Sequence, residues 1–168
     1  MPTESLSFVD DGDVPNHPRW PMIVYAQAIA PGTLATSEYA FDELFERNGW
    51  PVAWRNGIYP FTHYHSKTHE VLGIARGEAT VQFGGKSGKI LNARAGDALL
   101  LPAGTGHKRI SSSPDLVVIG AYPPSSKYDL MRSGESDKAA IRARIAKVAK
   151  PDTDPVSGAD GAMLSLWI

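Results

Sequence analysis

The chain has 168 residues, 42% of them apolar and 21% charged, with a formal net charge of −1 and no cysteine. That length suits one domain with its own hydrophobic core. The charge balance offers no general attraction for nucleic acid or an anionic membrane surface, no apolar run approaches the roughly 20 residues that span a bilayer, and the lack of thiols excludes disulfides and thiolate metal sites.

Taken in chain order, residues 1–20 hold Asp10-Asp11-Gly12-Asp13 and Pro15-Asn16-His17-Pro18, which read as an irregular arm. No basic stretch followed by an apolar run opens the chain, so a cytoplasmic protein is expected. Met22-Ile23-Val24-Tyr25 reads as a short strand. Between Thr36 and Asn48, Tyr39, Phe41, Leu44 and Phe45 fall at helical spacing, with Ser37 as the expected N-cap and Asn48-Gly49 as the stop.

From Val52 to Tyr122 the texture changes to short apolar runs separated by glycine and proline. Strands are expected at 52–59, 61–65, 69–75, 78–83, 89–93, 97–101, 107–111 and 116–122, with Gly84-Gly85-Lys86-Ser87-Gly88 as a hairpin turn. That turn superficially resembles a phosphate-binding loop, but Thr80 stands where the motif requires glycine. Beyond Pro123-Pro124, Ala140, Ile141, Ile145 and Val148 mark a helix over 135–150, ended by Pro151. The tail, 152–168, is loop-like until Met163-Leu164-Ser165-Leu166-Trp167, which is expected to pack back on the β domain. The chain therefore reads as one domain, 1–168, with a β core at 52–122, an arm and helix at 1–50 and a helix and tail at 123–168.

Four of the five histidines lie between His63 and His107. His63 and His65 are one residue apart, which on a strand places both side chains on one face. Glu70 follows after a bend, and His107 joins them if the sheet folds back through the turn Pro102-Ala-Gly104-Thr-Gly-His107. Three imidazoles and a carboxylate suit one divalent transition ion such as Fe, Mn, Ni, Co or Zn. An octahedral ion would keep two positions open. A lone histidine of this kind is more often an ordinary hydrogen-bonded residue; the argument rests on the set.

Glycines and a proline at fixed offsets make the set more specific. Gly57, His63, His65, Glu70 and Gly77 fit Gly-(x5)-His-x-His-(x3–4)-Glu-(x6)-Gly. Gly96, Pro102, Gly104 and His107 fit Gly-(x5)-Pro-x-Gly-(x2)-His-(x3)-Asn, with Ser111 in place of the last residue. The two stretches resemble the paired motifs of the cupin family. The resemblance implies an all-β fold, a single cupin jelly-roll barrel (a double-stranded β-helix) with a short N-terminal and a C-terminal helix. It also implies a metal held by His63, His65, Glu70 and His107.

His69 competes with Glu70 for the ligand role, but the six residues before Gly77 fit only Glu70, leaving His69 outside the barrel or behind the ligands, with a substrate contact as the alternative. Arg109 shares the strand parity of His107, so it can point into the barrel and meet a carboxylate or phosphate on a substrate; a bulge would turn it outward. Ser111 is expected to lose a hydrogen bond behind the ligands. The aromatics Trp50, Trp54, Tyr59, Phe61 and Tyr64 suit core packing or a dimer face, and some suit an apolar pocket wall.

The expected function is that of a metal-dependent enzyme acting on a small polar molecule, by oxygenase, isomerase or decarboxylase chemistry. A non-catalytic small-molecule sensor or binding protein is the alternative, and a structural cupin with an empty site a third. A homodimer is expected, because unpaired β edges need cover.

Overall fold

The computed structural model describes residues 1–168. Val71-Leu72-Gly73-Ile74 and Leu99-Leu100-Leu101 read as unbroken apolar stretches because the sheet that contains them is covered on both faces. Successive side chains alternate sides. Val71 and Leu100 join one cluster with Trp20, Phe41, Phe45 and Trp167, while Leu72, Leu99 and Leu101 join a second with Val81, Phe83 and Val118. The second cluster lies between two sheets; the first lies outside them, under helix and tail.

Eleven strands build the sheets: β1 (Thr3–Leu6), β2 (Met22–Tyr25), β3 (Val52–Asn56), β4 (His63–Tyr64), β5 (Glu70–Arg76), β6 (Glu78–Phe83), β7 (Lys89–Arg94), β8 (Ala98–Leu101), β9 (His107–Ser112), β10 (Val117–Ala121) and β11 (Met131–Arg132). One sheet runs β1-β2-β8-β5-β10-β3 and the other β11-β4-β9-β6-β7. Every pairing is antiparallel. The order β3-β10-β5-β8 opposite β4-β9-β6-β7 is a jelly roll, with strands distant in sequence laid side by side. The fold is thus the expected jelly roll, and the two sheets face each other without joining into one hydrogen-bonded ring.

Helix α2 (Ala40–Arg47) follows α1 (Pro31–Thr36) and buries Phe41, Leu44 and Phe45. It lies close on β5 because Gly73 has no side chain; a Cβ there would stand 2.5 Å from the Phe41 ring. Helix α3 (Lys138–Ala146) buries Ile141 and Ile145 against Val14, Tyr64 and Ala103 at one end of the sandwich. The tail returns as expected: Trp167 is fully buried at the end of α4 (Ala162–Leu166), with its indole N–H donating to the Pro21 carbonyl at 2.8 Å.

Several expectations need correction. Ser37 is not the N-cap of α2. Pro31 starts an additional helix that ends at Ser37, and α2 begins after Tyr39 with no side-chain cap. The arm is not wholly irregular, since Thr3–Leu6 pairs with β2. The C-terminal helix spans only Lys138–Ala146, capped at its start by the Asp137 carboxylate accepting from the Ala140 N–H at 3.2 Å. Strand 61–65 shrinks to His63–Tyr64, because the residues beside it turn to carry the site.

Candidate metal centre

β4 and β9 are joined at one register point, His63 opposite His107, at the mouth of the sandwich. Their rings sit 4.0 Å apart between centroids. His65, just past β4, lies 6.0 Å from both, and one ring nitrogen from each of the three lies within 4.8 Å of the others. Glu70 begins β5, and its Oε2 is 3.3 Å from Nε2 of His65 and 3.3 Å from Nε2 of His107. All four side chains are buried.

The outer nitrogens decide which way the lone pairs point. Nδ1 of His63 donates to the Phe61 carbonyl and Nδ1 of His107 to the Thr105 carbonyl, each at 3.0 Å; Nδ1 of His65 donates to the carbonyl of Asp129. A carbonyl can only accept, so each Nδ1 carries a proton and each Nε2 faces inward, where it offers a lone pair to an ion once it carries no proton of its own. Backbone carbonyls behind ligating imidazoles are the usual way of fixing that tautomer.

Glu70 Oε2 has no aligned hydrogen-bond donor, although two imidazole nitrogens stand beside it. An orphaned carboxylate oxygen at full burial is costly. A divalent cation among the three lone pairs and this oxygen removes the cost, so the residues fit such an ion. The other oxygen, Oε1, accepts from the Tyr122 hydroxyl at 2.9 Å, and that hydroxyl accepts from the Trp54 indole N–H at 2.9 Å.

The electrostatics follow from burial and neighbours. Burial, reinforced by His107, lowers the His63 pKa to about 3, so this ring is neutral at ordinary pH. Burial also pushes His65 down, but the Glu70 carboxylate and the contacts to Asp129 outweigh it and raise the value to about 9. Burial would raise Glu70; the facing His65 and His107 reverse that and hold it well below the ordinary carboxylate range.

The site opens into a cavity of about 1290 Å³ walled by Trp54, Ile58, Leu72, Tyr122 and Tyr128. Arg109 lines it, two residues from His107 on β9. Its guanidinium donates to Ser112 Oγ at 2.9 Å and has no carboxylate partner, whereas Arg55 in the same cavity is paired with Asp42 at 2.9 Å. The strand does contain a bulge, but it falls after Arg109, between the pairing of Arg109 with Val81 and that of Ser111 with Thr80, and so does not turn the guanidinium outward.

His69 lies outside the barrel, as expected, but is not exposed, and it does not line the metal cavity. It is fully buried outside the metal cavity, its Nδ1 accepting from the Ala103 N–H at 2.9 Å and its Nε2 donating to the Ala149 carbonyl at 3.1 Å. The parity that sends Glu70 inward sends His69 beneath Trp20 and Trp167. Ser111 is exposed on β9, away from the ligands, so no hydrogen bond behind them is lost. Tyr122 and Asp129, which hold Glu70 and His65, carry no signal of that role in the sequence.

Against known proteins, the chain is 40% identical over 166 residues to the uncharacterized protein YjlB of Bacillus subtilis, covering 99% of this chain and 97% of that one. This chain belongs to the YjlB family. No protein-family model matches it. Solved structures that resemble it include a DUF861 family protein of Thermotoga maritima (20% identical, 64% of this chain and 97% of that one, TM-score 0.33). They also include a single-substitution variant of the oxalate decarboxylase of Bacillus subtilis (15% identical, 74% and 30%, TM-score 0.38) and an 11S globulin of Wrightia tinctoria (19% identical, 46% and 21%, TM-score 0.37). The chain spans less than a third of the decarboxylase and globulin chains. No helix of the YjlB-family chain is long and apolar enough to cross a membrane.

Proposed function

We propose that this YjlB-family protein is a metal-dependent enzyme acting on a small, polar, anionic molecule, with His63, His65, Glu70 and His107 as the ligands of one divalent transition ion. The observation that carries the reading is the convergence of three imidazole ring nitrogens beside a buried carboxylate oxygen that has no aligned donor. A bound divalent ion would supply Lewis acidity at its open positions. The chain's own residues do the rest. Tyr122 holds the Glu70 carboxylate, carbonyls fix the imidazole tautomers, and the apolar walls limit water. Arg109, cationic and without an acidic partner, would orient a carboxylate or phosphate of the substrate beside the ligands. Oxygenase, isomerase and decarboxylase chemistry all suit such a site. The same reading takes the protein as a cytoplasmic homodimer paired through its β edges.

Elemental analysis of purified protein tests the ligands. About one transition ion per chain is expected, lost in His65→Ala and in His107→Ala; metal retained in both variants would falsify the ligand set. Oxygen uptake and carbon dioxide release, followed over a panel of small carboxylates, then test catalysis. Binding without turnover across the panel would replace the enzyme by the sensor or binding protein.

A further inference from the structure

A second concavity, of about 1210 Å³, lies on the far side of the loop that carries the ligands. Its walls are the 123–127 segment, the end of α3 and the 147–153 segment, with Lys67 and His69 contributed by the ligand loop. Five cations line it, Lys67, Lys127, Arg144, Lys147 and Lys150, against the single carboxylate of Asp152. In a chain with 17 basic and 18 acidic residues, this is a pronounced local surplus.

Part of that surplus has local work. Lys147 and Lys150 follow the C-terminal end of α3, where cations meet the helix dipole, and Lys150 donates to the Leu164 carbonyl at 2.9 Å. Helix capping does not explain Lys67 and Lys127, which come from two other segments. Lys67, Lys127 and Lys147 are exposed, and none is paired with a carboxylate. Several unpaired ammonium groups around one hollow suit a multiply charged anion, for which lysine acts as a point charge. The space exceeds a bare ion, so the charge would be carried on a larger small molecule.

The cleft is also wired to the metal centre. Arg144 Nε donates to Ser66 Oγ at 2.7 Å, and its Nη2 lies 3.8 Å from the Asp129 carboxylate. That carboxylate accepts from the N–H of Ser66 at 2.7 Å and of Lys67 at 3.2 Å, while the Asp129 carbonyl accepts from His65 Nδ1. The segment bearing Lys127 continues into Tyr128, which lines the metal cavity. An anion drawing on Arg144 would compete with Ser66 and Asp129 for its guanidinium. We propose that this cleft binds a small phosphate-bearing molecule, and that Arg144 and Asp129 transmit its occupancy to His65.

The binding clause stands apart from the metal-enzyme reading, so the test uses metal-free protein. Phenyl phosphate, inorganic phosphate and sulfate are titrated at an ionic strength of about 0.15 M, where loose surface attraction is screened. Saturable binding of phenyl phosphate is expected, tighter than inorganic phosphate and weakened at least about tenfold in Lys127→Ala/Lys147→Ala but not in Lys89→Ala. The His65 Nδ1 resonance should shift with the same midpoint in the wild type and stay fixed in the double variant. Equal binding of sulfate, or tighter binding of a single-stranded oligonucleotide, overturns the assignment of a phosphate-bearing small molecule. A motionless His65 resonance at saturation overturns the transmission. Failure of the metal reading shows elsewhere, as absent metal uptake beside an intact phosphate titration.

Discussion

Tyr122 donates its hydroxyl to Oε1 of Glu70 across 2.9 Å, and so divides the work of the two carboxylate oxygens. One oxygen is held by the scaffold; the other is left for the imidazole cluster. Burial and the Glu70 charge both raise the Tyr122 pKa, so the hydroxyl keeps its proton and stays a donor. The Trp54 indole behind it fixes the hydroxyl in turn.

Tyr122→Phe should therefore weaken metal binding without unfolding the protein. Partners behind metal ligands typically cost about 10- to 100-fold in affinity when removed. The lower end is expected, since Glu70 keeps its other oxygen. A competition titration with a chromophoric chelator measures it, and wild-type affinity in the variant would remove Tyr122 from the site. Trp54→Phe, one bond further out, should lose less.

The same chain can be disturbed from a residue that touches no ligand. A Cβ on Gly120 of β10 would stand 2.0 Å from the Trp54 ring. Gly120→Ala must push that ring aside, at a cost of roughly 1–3 kcal/mol for overpacking. It should lower the melting temperature and weaken metal binding together. Gly57→Ala is the control, because nothing lies within 4 Å of its added methyl. Equal melting temperatures for the two variants would sink the steric account.

The strands and three imidazoles were legible because their determinants are local. A one-residue gap puts His63 and His65 on one face, and Gly96 and Gly104, at φ +101° and +87°, mark turns that no other residue fills without strain. Glu70 was separable from His69 by the same counting. The supporting groups were not legible. Tyr122 reaches Glu70 from 52 positions away and Asp129 reaches His65 from 64, in a segment without periodicity. Folding joins them, and no spacing rule records it. Helix α1 was missed for a related reason. Its six residues bury nothing, so no apolar stripe marks it.

The tail depends on one buried carboxylate. Asp154 is fully buried and accepts from the Tyr25 hydroxyl at 2.5 Å and from the N–H groups of Val156, Ser157 and Met163 at 2.8–2.9 Å. Asp154→Ala strands those donors. The expected loss is about 3 kcal/mol or more, as for other broken buried networks. Chemical denaturation measures it, and a loss below about 1 kcal/mol would show the tail to be held by Trp167 and its apolar neighbours alone.

Acid should destabilise the fold through His17, away from the metal centre. Its ring stacks on Trp20 at 4.5 Å, and Nδ1 accepts from the N–H of Trp20 at 2.9 Å and of Arg19 at 3.3 Å. Nε2 is buried without a partner. A second proton would have to enter at Nδ1, against both backbone donors. Burial, then the Arg19 charge, lower the pKa from 6.5 to about 4. Above pH 6.5 the ring is neutral whether folded or unfolded, so His17 gives no pH dependence. Between 6.5 and about 4 the unfolded chain takes up a proton that the folded ring refuses, and stability falls with pH. At about 1.4 kcal/mol per unit the whole loss is roughly 3 kcal/mol. His69, lowered to about 3 by burial and by His17, adds its own slope in the same direction. His17→Gln keeps an acceptor for the Trp20 N–H and removes the titration. Its unfolding free energy should fall less steeply between about pH 6.5 and 4.5 than that of the wild type, by about one proton's worth of slope. Parallel curves for the two proteins would mean that His17 is protonated as readily folded as unfolded.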